Sequence, residues 1–384
     1  MSNAKQQTIA GTVEDPNQKS ISGVKITHPS GVSTVTDDDG RFSMTLDGNP
    51  EKDAQLVFTK AGYADKTLKV NSESVHIGFG APIARTFNPD DYPKYDGFNL
   101  ELVEDWQSSQ WPNGLTWDEN YKSNDAIWEP SDGGFTENLV RFQPEGIHFE
   151  NDKLVLRIEN KVIPNSPSWS EGQNYTDRQF SDEIGEKPLM GGEVRTRENN
   201  YRYGLYEVRM KPPGRGTEQG TATGFLATMF TFHTPRNRFW RENDIEVEGC
   251  RTDSFMTNIF YANDASAWRP EFGAPIQQNQ DYQGKMPKDY DPRDWHVYAM
   301  EWLPDKLTWL VDGEPVRTFR SGDKPGIKVG AISCKIVFNF WVCIDGNAIG
   351  GDPVGNHYPI DLQYDWFRFY RWDKDGDKVT YPEE

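Results

Sequence analysis

Apolar residues recur along this chain in strand-length runs, and none of the runs repeats with the period of a helix. In the first 80 residues the runs are short: Thr8–Val13, Val24–Thr27 and Arg41–Leu46, broken by turn residues such as Asp37-Asp-Asp-Gly40. Beyond residue 97 they lengthen into Lys153–Ile158, Tyr203–Met210, Trp295–Trp302, Leu307–Val311, Lys335–Trp341 and Trp366–Tyr370. Asp312-Gly313 stands between Leu307–Val311 and Val316–Phe319, and Asp-Gly is a strong two-residue hairpin signal. The pattern predicts an all-β chain with a small hairpin-rich sandwich over 1–80 and a large antiparallel sandwich over 97–384. Pro82, Pro89 and Pro93, with Asp90-Asp-Tyr92 among them, predict a semi-stiff exposed linker over 81–96.

Composition narrows the function. Aromatic residues make up 13% of the 384, with 13 Trp and 16 Tyr in an otherwise polar chain, which suits an all-β protein handling a hydroxyl-rich ligand with apolar faces. The formal charge of −19 disfavours nucleic acid and anionic membrane surfaces, whose largest attractive term needs a basic patch. Uncharged polymers remain. No run of about 18 apolar residues predicts a membrane span, and Met1-Ser-Asn-Ala4 reads as a cloning remnant in place of a signal peptide. Cys250, Cys334 and Cys343 are an odd number without zinc spacing, and His148, His233 and His296 show no ligand spacing. Neither a disulfide framework nor a catalytic metal is expected.

The chemistry concentrates in Trp240-Arg-Glu-Asn-Asp-Ile-Glu-Val-Glu-Gly249. Its acids Glu242, Asp244, Glu246 and Glu248 fall at every second position, so on a strand they share one face. Like charges at about 7 Å spacing repel and raise one another's pKa values, an arrangement a purely structural strand avoids. The opposite face carries Arg241, Asn243, Ile245 and Val247; the last two suit the gap between two sheets, and Asn243 fits it poorly. Cleaving a glycosidic bond with retention needs two carboxyls about 5–5.5 Å apart. Glu242 and Glu246 lie roughly 13 Å apart at Cα on an ideal strand, so their long side chains must lean toward a shared point. Asp244, between them, is placed to hold the pair in unequal protonation states.

Trp240-x-Glu242-x-Asp244-x-Glu246, followed by Gly249, resembles the unbulged active-site strand of glycoside hydrolase family 16, as in lichenases and xyloglucan-active members. The likeness runs from about 97 to 372 and includes Gly192–Thr196, Tyr203–Met210, Trp295–Tyr298, Glu301-Trp302, Trp309–Gly313 and Asn339–Trp341. Asn243 departs from it, standing where the family usually has an apolar residue. The resemblance implies a concave, concanavalin-like β-jelly roll with Glu242 as nucleophile, Asp244 as its assistant and Glu246 as acid/base. It implies sugar-hydroxyl contacts for Glu193, Arg195, Asn258 and Tyr261, ring stacking for Trp240 and Trp341, and cleft positions for Asn138 and Phe230. It also places Asp365 where many relatives hold a structural calcium; no cofactor is required for the reaction. From the residues alone, Glu193 and Arg195 also read as a surface cross-strand pair, the two tryptophans as core, and Asp365 as solvated. Ile9–Val13, Ser22–Ile26, Thr36–Phe42 and Lys60–Tyr63 resemble a carboxypeptidase-regulatory-like module of prealbumin or immunoglobulin type, a spacer or docking piece whose partner is unknown.

The expected protein is a retaining endo-β-glycosidase acting on a polysaccharide, foremost a β-1,3-1,4- or β-1,3-glucan, at a secreted, periplasmic or cell-surface location. Three alternatives stay open: a transglycosylase, a non-catalytic carbohydrate-binding protein, and a hydrolase of a sulfated galactan such as agar or carrageenan. Arg236, Arg238, Arg241, Arg251 and Arg269, crowded near the acids in an acidic chain, motivate the last.

Overall fold

The structure, a computed structural model, describes residues 6–14, 20–47, 55–60, 66–69, 74–78, 87–118, 123–135, 137–164, 186–233, 240–262, 276–277, 286–324, 327–344 and 349–374. Within them the chain is all-β, its only helical pieces being single turns of 3-10 helix. None is long and apolar enough to cross a membrane.

The N-terminal runs form two small sheets around one core. Arg41–Asp47, Gln6–Glu14 and Ser74–Gly78 make one; Ser33–Val35, Lys25–Thr27, Gln55–Thr59 and Lys66–Lys69 make the other. Alternate residues Ile9, Val13, Phe42, Met44, Leu56 and Phe58 point into a shared interior separate from the rest of the molecule.

The larger unit is a jelly-roll sandwich. One sheet, here the acid sheet, runs in the order Ile276–Gln277, Met256–Ala262, Trp240–Glu248, Leu226–Phe232, Lys335–Trp341, Glu193–Thr196, Trp128–Pro130. The second runs Ile147–Phe149, Leu154–Ile158, Ile360–Trp372, Gly204–Lys211, His296–Trp302, Lys306–Val311, Glu314–Arg320, with Phe98–Glu104 also paired to Ile360–Trp372. Aromatic side chains fill the gap: Phe338 of the acid sheet packs on Tyr364 and Phe367 of the second at centroid distances of 5.0 and 5.3 Å. Buried polar tips cross it as well. Tyr364 Oη donates to Thr228 O at 2.6 Å and Trp309 Nε1 to Asp244 O at 2.8 Å, so each satisfies a main-chain carbonyl of the opposite layer.

The Asp312-Gly313 hairpin forms as expected, joining Lys306–Val311 to Glu314–Arg320, with positive φ of 51° and 82° at its two central residues. The linker differs from expectation in its second half. Tyr92 Oη donates to Asp105 at 3.0 Å, Tyr95 Oη donates to Glu207 Oε1 at 2.9 Å, and the Tyr95 ring meets Tyr370 edge-on at 5.0 Å. Two tyrosines with polar tips thus strap residues 92–95 to the outer face of the second sheet, where proline content alone suggested an exposed spacer. Pro82 lies outside the described residues.

Candidate active site

The strand Trp240–Glu248 lies inside the acid sheet, paired on one side with Leu226–Phe232 and on the other with Met256–Ala262. Its two faces separate as the alternation requires. Ile245 and Val247 are fully buried between the layers, whereas Glu242 and Glu246 are half-buried on the opposite face, with Asp244 only 2% exposed between them. Asn243, the misfit on the core face, donates through Nδ2 to Thr231 Oγ1 at 3.0 Å, and both side chains are buried. A paired amide and hydroxyl cost little in a core, which explains how a polar residue is tolerated there. Gly249 closes the strand because a Cβ would sit 2.6 Å from Thr223 O.

The three acids occupy unequal environments. The Trp240 indole N–H donates to Glu242 Oε2, a charge-assisted bond that favours the ionised form. Burial raises the Asp244 carboxyl well above the usual carboxylate range, and the charges of Glu242 and Glu246 add to the rise. Neither Asp244 oxygen receives a hydrogen bond from a fixed donor. The group it approaches is Glu242, so the bond open to it needs a proton held between the two carboxyls. Burial, then the Glu242 charge, then Glu248 push Glu246 up to about 8. Glu246 accepts no hydrogen bond from the described residues and is half-buried on its face. One carboxylate that attracts donors beside one carboxyl kept protonated near neutrality is the division of labour that double displacement requires. Glu248, the fourth acid of the alternation, does not join them: it is 3% exposed and bonded to Arg251 Nε and, at 3.2 Å, to the Gly350 N–H.

Cross-strand register identifies the neighbours. Glu242 lies between Phe232 and Phe260, Asp244 between Phe230 and Asn258, and Glu246 between Thr228 and Met256. From Glu246 a polar row continues across the sheet: Thr228 Oγ1 donates to Asn339 Oδ1 at 2.6 Å, Asn339 Nδ2 to Glu193 Oε2 at 3.0 Å, and Ser131 Oγ to Glu193 Oε1 at 2.5 Å. Arg195 pairs with Glu129, its Nε 2.9 Å from Glu129 Oε1, and Lys335 Nζ reaches the same oxygen at 2.8 Å. Burial alone would raise the Glu129 carboxyl, but Lys335 and Arg195 outweigh it and hold it below its ordinary value. On the Glu242 side the face turns aromatic, with Trp240 stacked on Phe260 at 5.2 Å and Phe230 set edge-on to Phe232 at 6.5 Å.

The expected site residues are therefore only partly brought together. Glu193, Arg195 and Asn258 share the face of the acids. Trp240 also lies there, but one side of its ring is covered by Phe260. Trp341 is on that face and 7% exposed, packed edge-on against Phe135 at 4.8 Å. Asn138 is fully buried, its Oδ1 accepting the Val140 N–H at 2.7 Å. Tyr261 is not brought to the acids: it pairs with Arg241, whose guanidinium lies 3.7 Å above its ring on the core face. Asn258 and Tyr261 are three residues apart, and a strand cannot present both to one side. Phe260 takes the place beside Glu242, and two-residue periodicity counted from Asn258 would have found it. Glu129, Phe232, Lys335 and Asn339 were likewise missed, although 335, 337, 339 and 341 share a face in any strand through Trp341.

Two further expectations need correction. Arg241 is buried in the sandwich and Arg251 is bound to Glu248, so neither guanidinium faces a substrate; Arg236, Arg238 and Arg269 lie outside the described residues. Asp365 does not fit a calcium ion, because Arg209 Nη1 lies 2.5 Å from its Oδ2 and Lys153 Nζ lies 3.4 Å from its Oδ1. Among the described residues no three His, Cys, Asp or Glu side chains gather as metal ligands.

The family model "Glycosyl hydrolases family 16" matches residues 138–367, well over half of the chain and including all three acids. The chain belongs to this family. A Paenibacillus polymyxa protein named beta-glucanase is 26% identical over 271 residues, covering 68% of this chain and 90% of that one. An Acetivibrio thermocellus beta-glucanase is 25% identical over 270 residues, 69% of this chain; the chain spans only 58% of that relative's length. The laminarinase catalytic domain from Thermotoga maritima superposes with a TM-score of 0.50 at 17% identity, covering 72% of this chain and 99% of that one, a likeness of fold.

Proposed function

We propose that this family 16 glycosyl hydrolase is a retaining endo-β-glucanase that cleaves a β-1,3-1,4- or β-1,3-linked glucan. The observation that carries the reading is the opposed environment of Glu242 and Glu246 on one strand face. Glu242 attacks the anomeric carbon while Glu246 gives its proton to the glycosidic oxygen; the C–O bond to the leaving sugar breaks as the ester to Glu242 forms. Glu246, now ionised, takes a proton from water, which displaces Glu242 and restores both groups. Asp244, protonated and beside Glu242, donates a hydrogen bond to that carboxylate and keeps its proton through both steps, so the proton given and regained by Glu246 balances the cycle. The beta-glucanase names of the relatives favour glucan as the polymer, and the half-buried rings of Phe230, Phe232, Phe260 and Trp240 offer apolar surface to pyranose C–H faces. Secretion or surface display follows from a substrate too large to enter a cell. The N-terminal sheets are proposed as a carboxypeptidase-regulatory-like spacer or docking module.

The test uses separate Ala variants of Glu242 and Glu246 with an activated β-glucoside and azide. The Glu242 variant is expected to yield an α-glucosyl azide and the Glu246 variant the β-azide. The opposite pairing would reverse the two roles, and no rescue in either variant would remove double displacement from consideration.

A further inference from the structure

On the outer face of the second sheet, away from the acids, one lysine bridges a turn carbonyl and a carboxylate. The tight turn between Ile147–Phe149 and Leu154–Ile158 puts Asn151 and Asp152 at positive φ of 53° and 55°. The strained turn aims the Asn151 carbonyl at the adjoining lysine, and Lys153 Nζ lies 3.2 Å from that oxygen. The same ammonium lies 3.4 Å from Asp365 Oδ1 and 5.9 Å from the centre of the Trp295 ring. A carboxylate oxygen and a turn carbonyl are the hard oxygen donors that calcium uses. Here an ammonium bridges them, and Arg209 completes the brace by holding Asp365 Oδ2 while lying 4.6 Å over Trp295.

We propose that Lys153 is a covalently attached substitute for a structural cation, tying the Asn151–Asp152 turn to the long strand Ile360–Trp372 and making the sandwich independent of calcium. An ammonium supplies positive charge as a metal would, and meets the same oxygens through directional N–H donors instead of coordination bonds, without depending on the concentration of a free ion. With Lys153 and Arg209 both removed, the Asp365 carboxylate and the Asn151 carbonyl should face an opening that hydrated calcium can enter.

Thermal unfolding of the full chain tests this in 5 mM EDTA, in 5 mM calcium chloride and in sodium chloride of equal ionic strength. Wild-type Tm is expected to be the same in all three. Lys153→Ala combined with Arg209→Ala, which clears both cations from Asp365, is expected to lose about 2–4 °C in EDTA and to regain it in calcium but not in sodium. Lys153→Met combined with Arg209→Ala, which keeps the stem and fills the opening, should lose stability and regain nothing. A wild-type Tm that rises in calcium and falls in EDTA would overturn the proposal, and so would a Lys153→Ala, Arg209→Ala variant indifferent to calcium, which would reduce Lys153 to an ordinary surface ion pair.

Discussion

Replacing Glu246 by Gln should abolish turnover and, at alkaline pH, make the protein more stable. Below pH 4.5, its ordinary value, the Glu246 carboxyl is protonated whether the chain is folded or not, and its shift contributes nothing to stability. As pH rises the unfolded chain releases the proton while the folded chain holds it up to about 8. Folding is therefore penalised increasingly through that window and by a constant amount above it. A separation of 3.5 units (about 8 minus 4.5) corresponds to roughly 5 kcal/mol at most. Because part of the Glu246 side chain faces solvent, about 2–3 kcal/mol is the reasonable expectation. Gln keeps the volume and carries no charge, and it removes one of the charges that raise Asp244 as well.

Thermal unfolding at pH 4, 7 and 9 reads the effect directly. Glu246→Gln should match wild type at pH 4 and exceed it by about 5–10 °C at pH 9, from 2–4 °C per kcal/mol for a domain of this size. Glu145→Gln, the same change at an exposed position, serves as the control for loss of one carboxylate. A Glu246→Gln variant whose Tm advantage is flat with pH, or reversed at pH 9, would mean that Glu246 is not held protonated by its surroundings, and the assignment of the acid would fall with it.

The same shift predicts that kcat/KM falls on the alkaline side with a midpoint near 8, since the acid must be protonated in the free enzyme; a profile level to pH 10 contradicts it. Phe260→Ala should lower kcat/KM by roughly tenfold by removing apolar surface beside Glu242, whereas Tyr261→Phe should leave it unchanged; the reverse order would restore Tyr261 to the site. Asn243→Val should cost about 1–2 kcal/mol in urea unfolding by stranding the Thr231 hydroxyl, and Asn243→Val with Thr231→Val should recover most of it; additive losses would show that the pair is not coupled.

Much of this was legible because the decisive signals have a period of two. The acid alternation from Glu242 to Glu246, the Asp312-Gly313 turn and the strands of both layers can be read from side-chain spacing and local backbone preference. The misread features are those in which partner choice depends on which strands adjoin. Arg195 is two residues from Glu193 on one face, yet its partner Glu129 comes from a strand 66 positions earlier. Tyr92 and Tyr95 carry no sign in the sequence that Asp105 and Glu207 await them. Tyr261 is a different kind of failure, since the periodicity that revealed the acids already forbade it from sharing a face with Asn258.

The strand that carries the acids also shows how a row of like charges is kept in register. Repulsion among Glu242, Asp244 and Glu246 can be relieved by moving the backbone or by binding protons, and the cheaper route depends on how firmly the backbone is held. Behind the acids it is held by Ile245 and Val247 buried in the sandwich, by the Asn243–Thr231 bond, and by the Trp309 indole fixed on the Asp244 carbonyl. These contacts are uncharged, so they do not offset the repulsion; they deny it a mechanical outlet. Burial holds protons on Asp244 and Glu246 in the first place, and the repulsion left without a mechanical outlet adds to that retention, the state from which an acid catalyst begins. Weakening the back of the strand should therefore erode acid catalysis before it unfolds the domain, because a backbone free to spread would let Glu246 ionise.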